Sequence, residues 1–166
     1  IDWKLGLDAE KDRIKSLLQE HPALIAHNVY FDGGFLYRLL GRKGKWAFCT
    51  YSLLALLSNE GYPGDSWSLK IAMTEYLGWK DTNELELDSW LCERNFTKGP
   101  AKNPDKSQMW RAPTEILGKY SILDAEATYL LLTEILLPVY RGLPGMHNTY
   151  RDLLYHIGLH IEQKLH

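Results

Sequence analysis

Residues 23–32 read ALIAHNVYFD, in which an apolar run is followed directly by polar residues. Its first four residues form a short, continuous apolar run, which is typical of a strand buried on both faces in a parallel sheet. A helical pattern of apolar residues follows and ends at Gly41, its members being Phe31, Phe35, Leu36, Leu39 and Leu40. The stretch therefore predicts a strand that leads directly into a helix.

The flanking segments extend this pattern in both directions. Residues 8–20 predict an amphipathic helix with Asp8 as its N-cap, and residues 46–50 predict a second strand followed by another helix. Two strands joined by a crossover helix are normally parallel. The order helix, strand, helix, strand, helix predicts an α/β fold.

The second half of the chain predicts mainly helices around an irregular middle. Ser68 is a suitable N-cap for a helix that Gly78 closes, whereas residues 80–113 show poor periodicity and predict a loop of the kind that is often functional. Helical stretches follow over residues 118–137, with Pro138 predicted to end them. Residues 142–145 (GLPG) predict a linker, and residues 148–165 a further helix.

The composition narrows the class of protein. The 166 residues are 45% hydrophobic and 24% charged, which is usual for a globular domain. The two cysteines form no C-x-x-C pattern, which argues against a zinc ribbon and predicts a reducing compartment such as the cytoplasm. Residues 129–139, the most apolar stretch, are about half the length of a membrane span, so we expect no membrane association.

The first candidate site lies where the strand of residues 23–26 ends. Asn28 and Asp32 are four residues apart, so they share one face of the following helix. The carboxyl ends of parallel strands are where α/β sheets place their ligands. The alternative is that Asn28 only caps the helix and that Asp32 favours its positive end.

A second pair with the same spacing lies in the segment YSILD. Tyr120 and Asp124 share one face of a predicted helix, and Ile122, Leu123 and Leu130 to Leu132 are expected to form its buried surface. A tyrosine and a carboxylate on one face can hold a metal ion together with its bound water. The alternative is an amphipathic helix with one ordinary acid.

Together these segments resemble a known family. AHNVYFDGGFL resembles the second motif, and YSILD the third, of the tyrosine-type DEDD superfamily of 3′–5′ exonucleases, and SLKIAMTEYLG resembles the helix between them. Residues 24–137 are most similar to the proofreading domain of bacteriophage-type family A DNA polymerases. The resemblance implies a ribonuclease H-like α/β fold, a 3′ end of single-stranded DNA as substrate and, for a viral protein, the host cytoplasm.

The resemblance also implies roles for the residues of the two pairs. Two divalent ions, Mg²⁺ or Mn²⁺, would hydrolyse the terminal phosphodiester. Asp124 would be a direct metal ligand, and Asp32 would act on the second metal or its waters. Tyr120 would orient the attacking water, and Asn28 would position the terminal nucleotide.

The family's first motif, D-x-E in an opening strand, has no counterpart here. Asp8-Ala9-Glu10 matches the letters but opens a predicted helix, and it lies too close to Asp32 for the family's opening strands. We therefore expect an exonuclease fold truncated at its N-terminal strands, with an unpaired apolar edge that favours self-association. Asp32 and Asp124 supply a charge of −2 against +4 for two ions, so this chain alone is expected to be nearly inactive.

The expected organisation is a partial exonuclease domain over residues 1–141, with residues 142–166 leading toward a downstream polymerase domain. Two basic segments are candidates for substrate binding: residues 33–46 with Arg38 and Arg42, next to Phe31, and residues 94–111 with five bases and one acid. Ordinary solvated surface is the alternative for both. A ribonuclease D-like exoribonuclease and an inactive nucleic-acid-binding or scaffold module are the alternative functions.

Overall fold

The structure is a computed structural model, and it describes residues 3–21, 23–41, 45–58, 67–80, 82–145 and 148–152. Over these residues the chain is mixed α/β and mostly helical, with two sheets of two strands each. It divides into two compact units, one made of Ile1–Pro63 with Leu136–His166 and the other of Gly64–Ile135. The predicted α/β class is confirmed at this level.

The first unit contains the predicted strand, helix and second strand. Its elements in chain order are α1 (Trp3–Glu20), β1 (Ala23–Ala26), α2 (Val29–Leu40), β2 (Lys45–Cys49) and α3 (Thr50–Ser58). β1 and β2 are parallel, with Ala23 opposite Lys45 and Ala26 opposite Cys49. The parallel pairing follows from the crossover helix between the strands, as predicted. Gly41 ends α2 in the left-handed conformation, with φ of +66°, which glycine adopts without steric cost.

Two details of the first unit differ from the sequence predictions. α1 begins at Trp3, so Asp8 lies inside the helix and is not its N-cap. The strand β1 is only partly buried: Ala26 is buried, but Ile25 is 36% exposed. The reason is that, within the described residues, β1 pairs with β2 alone, whereas burial on both faces requires a larger sheet.

The aromatic residue Tyr150 closes the end of β2. Its hydroxyl accepts a hydrogen bond from the backbone N–H of Cys49 and donates one to the backbone carbonyl of the same residue, at 3.1 Å. The Tyr150 ring stacks on Phe48 at 5.6 Å between centroids, and Tyr140 meets both rings edge-on. A buried side chain thus satisfies two backbone groups of β2, since Tyr150 and Cys49 are each only 2% exposed.

The second unit begins with a confirmed helix. Ser68 caps α4 (Leu69–Ala72) by accepting a hydrogen bond from the Ile71 N–H, and a π-helical turn, Met73–Leu77, continues it. Gly78 ends this helix at a φ of +67°, as predicted. The remaining elements are α5 (Thr82–Glu93), the antiparallel strands β3 (Thr97–Lys98) and β4 (Asn103–Pro104), the 3-10 helix Lys106–Arg111 and α6 (Thr114–Leu130).

The prediction of a loop over residues 80–113 is wrong, because α5, the hairpin of β3 and β4 and the 3-10 helix lie in this range. α5 carries many acidic residues, and among its described side chains only Leu87 and Leu91 are fully buried, while Leu85 is 62% exposed. Its apolar stripe is therefore too narrow to show a clear helical period. Packing against α6 and ion pairs with distant lysines stabilise it instead.

The prediction for Pro138, near the end of the chain, is wrong. Pro138 does not end the helical run: a π-helical turn (Leu131–Leu136) leads into α7 (Leu137–Gly142), and Pro138 lies in the first turn of α7. Proline is tolerated there because first-turn N–H groups have no helical partner. Residues 148–152 are helical, and the rest of the helix predicted over residues 148–165 lies outside the described residues.

Candidate functional site

Asn28 lies between the end of β1 and the start of α2, where the sequence predicts it. Its side-chain oxygen accepts from the backbone N–H of Phe31 at 3.4 Å, and its backbone carbonyl accepts from Phe31 and Asp32. Asn28 is thus the N-cap of α2, in agreement with the structural alternative for this residue. Capping fixes the direction in which the first turn of α2 leaves the sheet.

Asp32 lies in that first turn and is half-buried. Burial raises the pKa of its carboxyl above the ordinary value, and a hydrogen bond from the backbone of Asn28 opposes this shift without cancelling it. The local surroundings therefore disfavour the charged form. A cation bound next to Asp32 would compensate for the lost hydration of the carboxylate.

His27 ties the ends of the two parallel strands together. Its Nδ1 lies 2.9 Å from the hydroxyl of the buried Thr50, and its ring meets Tyr51 edge-on at 5.8 Å. Its backbone carbonyl accepts from the N–H of Tyr51. These contacts give His27 a structural role at the end of the first sheet. Sequence reasoning did not single out Thr50 or Tyr51.

The residues predicted to bind substrate beside Asp32 are largely on the surface. Phe31 is 61% and Phe35 is 59% exposed, and their rings meet at 4.9 Å between centroids. Arg38 is exposed one turn further along α2, and Arg42 lies outside the described residues. Phe35, which the sequence suggested only as part of an apolar stripe, thus joins Phe31 in an exposed aromatic pair.

Tyr120 and Asp124 lie on α6 and are both half-buried. Their spacing places them on one face of the helix, as predicted. The expected buried surface is confirmed at Leu131 and Leu132, which lie in the π-helical turn after α6, but it is wrong at Ile122, which is 69% exposed. Ile122 lies between the two candidate residues, so it points to the other side of the helix.

A charged cluster that the sequence did not reveal lies next to Tyr120. The Lys106 ammonium is 5.8 Å from the centre of the Tyr120 ring and pairs with Asp88 and, at 3.3 Å, with Glu84. Glu84 also pairs with Lys70. These residues are far apart in the chain, and only the packing of the second unit assembles them.

The cluster controls the ionisation of Glu84. Burial raises the pKa of the Glu84 carboxyl, but hydrogen bonds and charges from Lys70 and Lys106 outweigh burial and hold the pKa below its ordinary value of 4.5. Glu84 is therefore charged at neutral pH and neutralises part of the basic segment of residues 94–111. The Lys106 ammonium is committed to carboxylates rather than available for a substrate phosphate.

The four principal site residues fall into two pairs. Asn28 and Asp32 belong to the first compact unit, and Tyr120 and Asp124 belong to the second. Convergence of the two pairs on common metal ions stays a prediction. Among the residues that the structure describes, no group of three or more histidine, cysteine, aspartate or glutamate side chains is arranged to hold a metal ion.

Asp8 and Glu10, which match the letters of the first exonuclease motif, lie on α1. Asp8 is exposed and lies 3.4 Å from Lys11, and Glu10 lies 3.8 Å from Arg13. Both carboxylates therefore have neighbours one helical turn away on a solvated surface.

Comparison with known proteins finds no matching family model, curated protein or solved structure. No helix in the described part of the chain has both the length and the apolar character needed to cross a membrane.

Proposed function

We propose that the chain is part of a 3′–5′ exonuclease of the tyrosine-type DEDD superfamily, in the proofreading class associated with family A DNA polymerases. Its fold would be a ribonuclease H-like fold without the opening strands. The motifs around Asp32 and Asp124 support this proposal by their order and spacing. The observation that carries it is the position of Asp32, which is half-buried, follows a parallel strand and has a raised pKa.

The donor chemistry fits the implied metal ions only in part. Carboxylate oxygens from Asp32 and Asp124 are ligands that Mg²⁺ and Mn²⁺ prefer, but two carboxylates balance only half of the charge of two ions. When bound, the ions would activate water and stabilise the leaving oxygen. Asn28 would hold the turn that carries Asp32, and Tyr120 would orient the attacking water. This chain by itself would then cut slowly.

The test is metal-dependent trimming of a 5′-labelled single-stranded DNA by the 166-residue chain. With Mn²⁺ we expect slow shortening from the 3′ end that EDTA stops. Asp32→Asn and Asp124→Asn should each abolish it, whereas Glu126→Gln, an exposed acid on the same helix as Asp124, should not. Trimming that survives both aspartate variants would refute the proposal, and vigorous activity would refute the incomplete metal site.

One observation favours a second candidate, an exonuclease-like module that binds a single strand without cutting it. It is the small number of carboxylates in the two candidate pairs, which supply only Asp32 and Asp124. Retained binding of the labelled strand without trimming at high protein and Mn²⁺ concentration would support this candidate. A matched RNA strand in the same assay tests the ribonuclease D-like alternative, which requires faster trimming of RNA than of DNA.

A further inference from the structure

The second unit carries an interleaved set of aromatic rings and arginines, of which Trp90 and Phe96 are half-buried and the others are exposed. We call this set, made of Trp90, Arg94, Phe96, Trp110 and Arg111, the aromatic–arginine ladder. The Arg94 guanidinium lies 4.4 Å from the Trp90 ring, and Trp90 lies 5.9 Å from Phe96. The Arg111 guanidinium lies 5.5 Å from the centre of Phe96 and 4.4 Å from that of Trp110. The ladder therefore runs from α5 across the start of the hairpin to the 3-10 helix.

Trp110 forms the exposed end of this ladder. Its side chain is 66% exposed, although large aromatic residues usually contribute to stability by being buried. The Arg111 guanidinium lies over the ring, 4.4 Å from its centre. An open indole ring beside a cation is the arrangement on which nucleobases stack.

A neutral side chain, rather than a carboxylate, holds Arg111 in place. Its Nε donates to the side-chain oxygen of Gln108 at 3.0 Å, which fixes the plane of the guanidinium. Within the described ranges, no carboxylate forms an ion pair with Arg111. Its remaining N–H groups suit a phosphate, which guanidinium groups bind through paired hydrogen bonds.

The hairpin next to the ladder adds further positive charge. Residues 94–104 contain Arg94, Lys98 and Lys102 and no acid. The Lys98 side chain is 68% exposed and lies 4.0 Å from Asp105, and Lys102 is exposed in the turn between β3 and β4. Lys106 is excluded from this surface because Glu84 and Asp88 bind it. The Arg94 guanidinium pairs with the exposed Glu93 at 3.7 Å, so, among the described residues, Lys102 and Arg111 supply the charge that no carboxylate pairs with.

We infer that the aromatic–arginine ladder, together with Lys98 and Lys102, is a binding surface for single-stranded nucleic acid. A base stacks on Trp110, the neighbouring phosphate binds Arg111, and further phosphates contact the hairpin lysines. The choice of a single strand rests on the proposed exonuclease function. An acidic protein offers the same charges, but only a nucleic acid places a flat ring next to each negative charge, so the ladder favours nucleic acid.

The test is fluorescence anisotropy of a labelled 15-residue oligo(dT) with the full 166-residue chain in EDTA. Trp110→Ala should weaken binding about 10-fold, because base stacking on an aromatic ring contributes that order of affinity. Trp110→Phe should retain most of the affinity. Leu85→Ala, which removes an equally exposed apolar side chain from the same unit, should leave binding unchanged.

The charge contribution is tested by the salt dependence of the same binding. Lys98→Gln with Lys102→Gln should lower the slope of log K against log salt by about 1.4, since each phosphate contact on a single strand contributes about 0.7. Lys11→Gln with Lys15→Gln on α1 is the control pair and should leave the slope unchanged. Far-UV circular dichroism of each variant shows whether the fold is retained.

Three results would overturn the inference. The first is an affinity equal to that of wild type in both Trp110→Ala and the lysine pair. The second is binding of an abasic chain or of polyglutamate as tight as that of oligo(dT). The third is no binding of oligo(dT) at low salt. Asp32→Asn with Asp124→Asn should bind oligo(dT) normally in EDTA while losing trimming with Mn²⁺. Failure of the exonuclease proposal is therefore distinguishable from failure of the ladder as a binding surface.

Discussion

The two compact units are stabilised by different kinds of contact. In the first unit, uncharged groups close the end of β2, where the Tyr150 hydroxyl bonds the backbone of Cys49 among aromatic rings. In the second, Lys106 joins Glu84 and Asp88 of α5 in a half-buried cluster of charges. The first unit should therefore respond mainly to loss of packing and hydrogen bonds, and the second to charge and pH.

The largest effect is expected at Tyr150. Tyr150→Ala removes a buried ring and should lower the free energy of unfolding by about 4 kcal/mol. Tyr150→Phe keeps the ring but leaves the buried N–H and carbonyl of Cys49 without that partner, and should cost about 2 kcal/mol. Urea unfolding measures both losses, with Tyr129→Phe, an exposed tyrosine of the second unit, as the control. Equal stability of Tyr150→Phe and wild type would show that the Tyr150 hydroxyl does not stabilise the first unit.

Lys106 should show the next largest effect. Lys106→Gln leaves two half-buried carboxylates without their shared cation and should cost about 2 kcal/mol, between the values for exposed and buried pairs. Lys119→Gln, which breaks the exposed pair with Glu86, should cost less than about 1 kcal/mol. In hydrogen-exchange measurements, Lys106→Gln should reduce the protection of backbone amides in α5 and α6. Loss of protection in β2 instead would contradict the separate roles of the two units.

The two N-caps provide a matched comparison between the units. Asn28→Ala and Ser68→Ala each remove one side-chain bond to a helix N–H and should each cost about 1 kcal/mol, local to α2 and α4 respectively. Asn28→Ser should restore the stability lost at Asn28. If Asn28→Ser also restores Mn²⁺-dependent trimming, Asn28 acts in the site only through the cap. Unrestored trimming with restored stability would indicate direct contact between Asn28 and the substrate.

The smallest effect is a pH dependence specific to the second unit. The pKa of Glu84 is lowered in the folded chain, so its ion pairs stabilise the fold above pH 4.5 and this contribution is lost as the pH falls through the lowered pKa. Glu84→Gln should therefore be less stable than wild type at pH 7 by less than about 1 kcal/mol. The difference should shrink as the pH falls below 4.5 and disappear below the lowered pKa. Urea unfolding at several pH values measures this difference in stability. A difference that does not change with pH would show that ionisation of Glu84 is not its cause.

The part of the fold that the sequence predicts correctly depends on local interactions. The sequence predicted the strand of residues 23–26, the cap at Ser68 and the helix ends at Gly41 and Gly78, and it offered the cap at Asn28 as one of two alternatives. Each depends on residues no more than a few positions apart, because caps bond within one turn and helix ends need only one left-handed residue. The spacing within each candidate pair was readable for the same reason.

The failed predictions are those in which distant residues decide the outcome. α5 was missed because lysines from other elements stabilise an acidic helix with a narrow apolar stripe. The continuation of the helical run past Pro138 depends on a π-helical turn that places the proline in a new first turn. The contacts at Lys106 had no sequence signal, since its partners lie about 20 residues away.

The amino-acid order by itself determined the strand, crossover helix and parallel strand, and it placed Asn28 with Asp32 and Tyr120 with Asp124 on common helical faces. Helical spacing and capping are properties of neighbouring residues, so no wider context is needed for them. Only the tertiary structure decided that Tyr150 completes β2, that Phe31 and Phe35 are exposed, and that Lys106 is neutralised while Arg111 is sandwiched between rings. Exposure and ion pairing depend on which segments pack together, and that information is not local to any stretch of the chain.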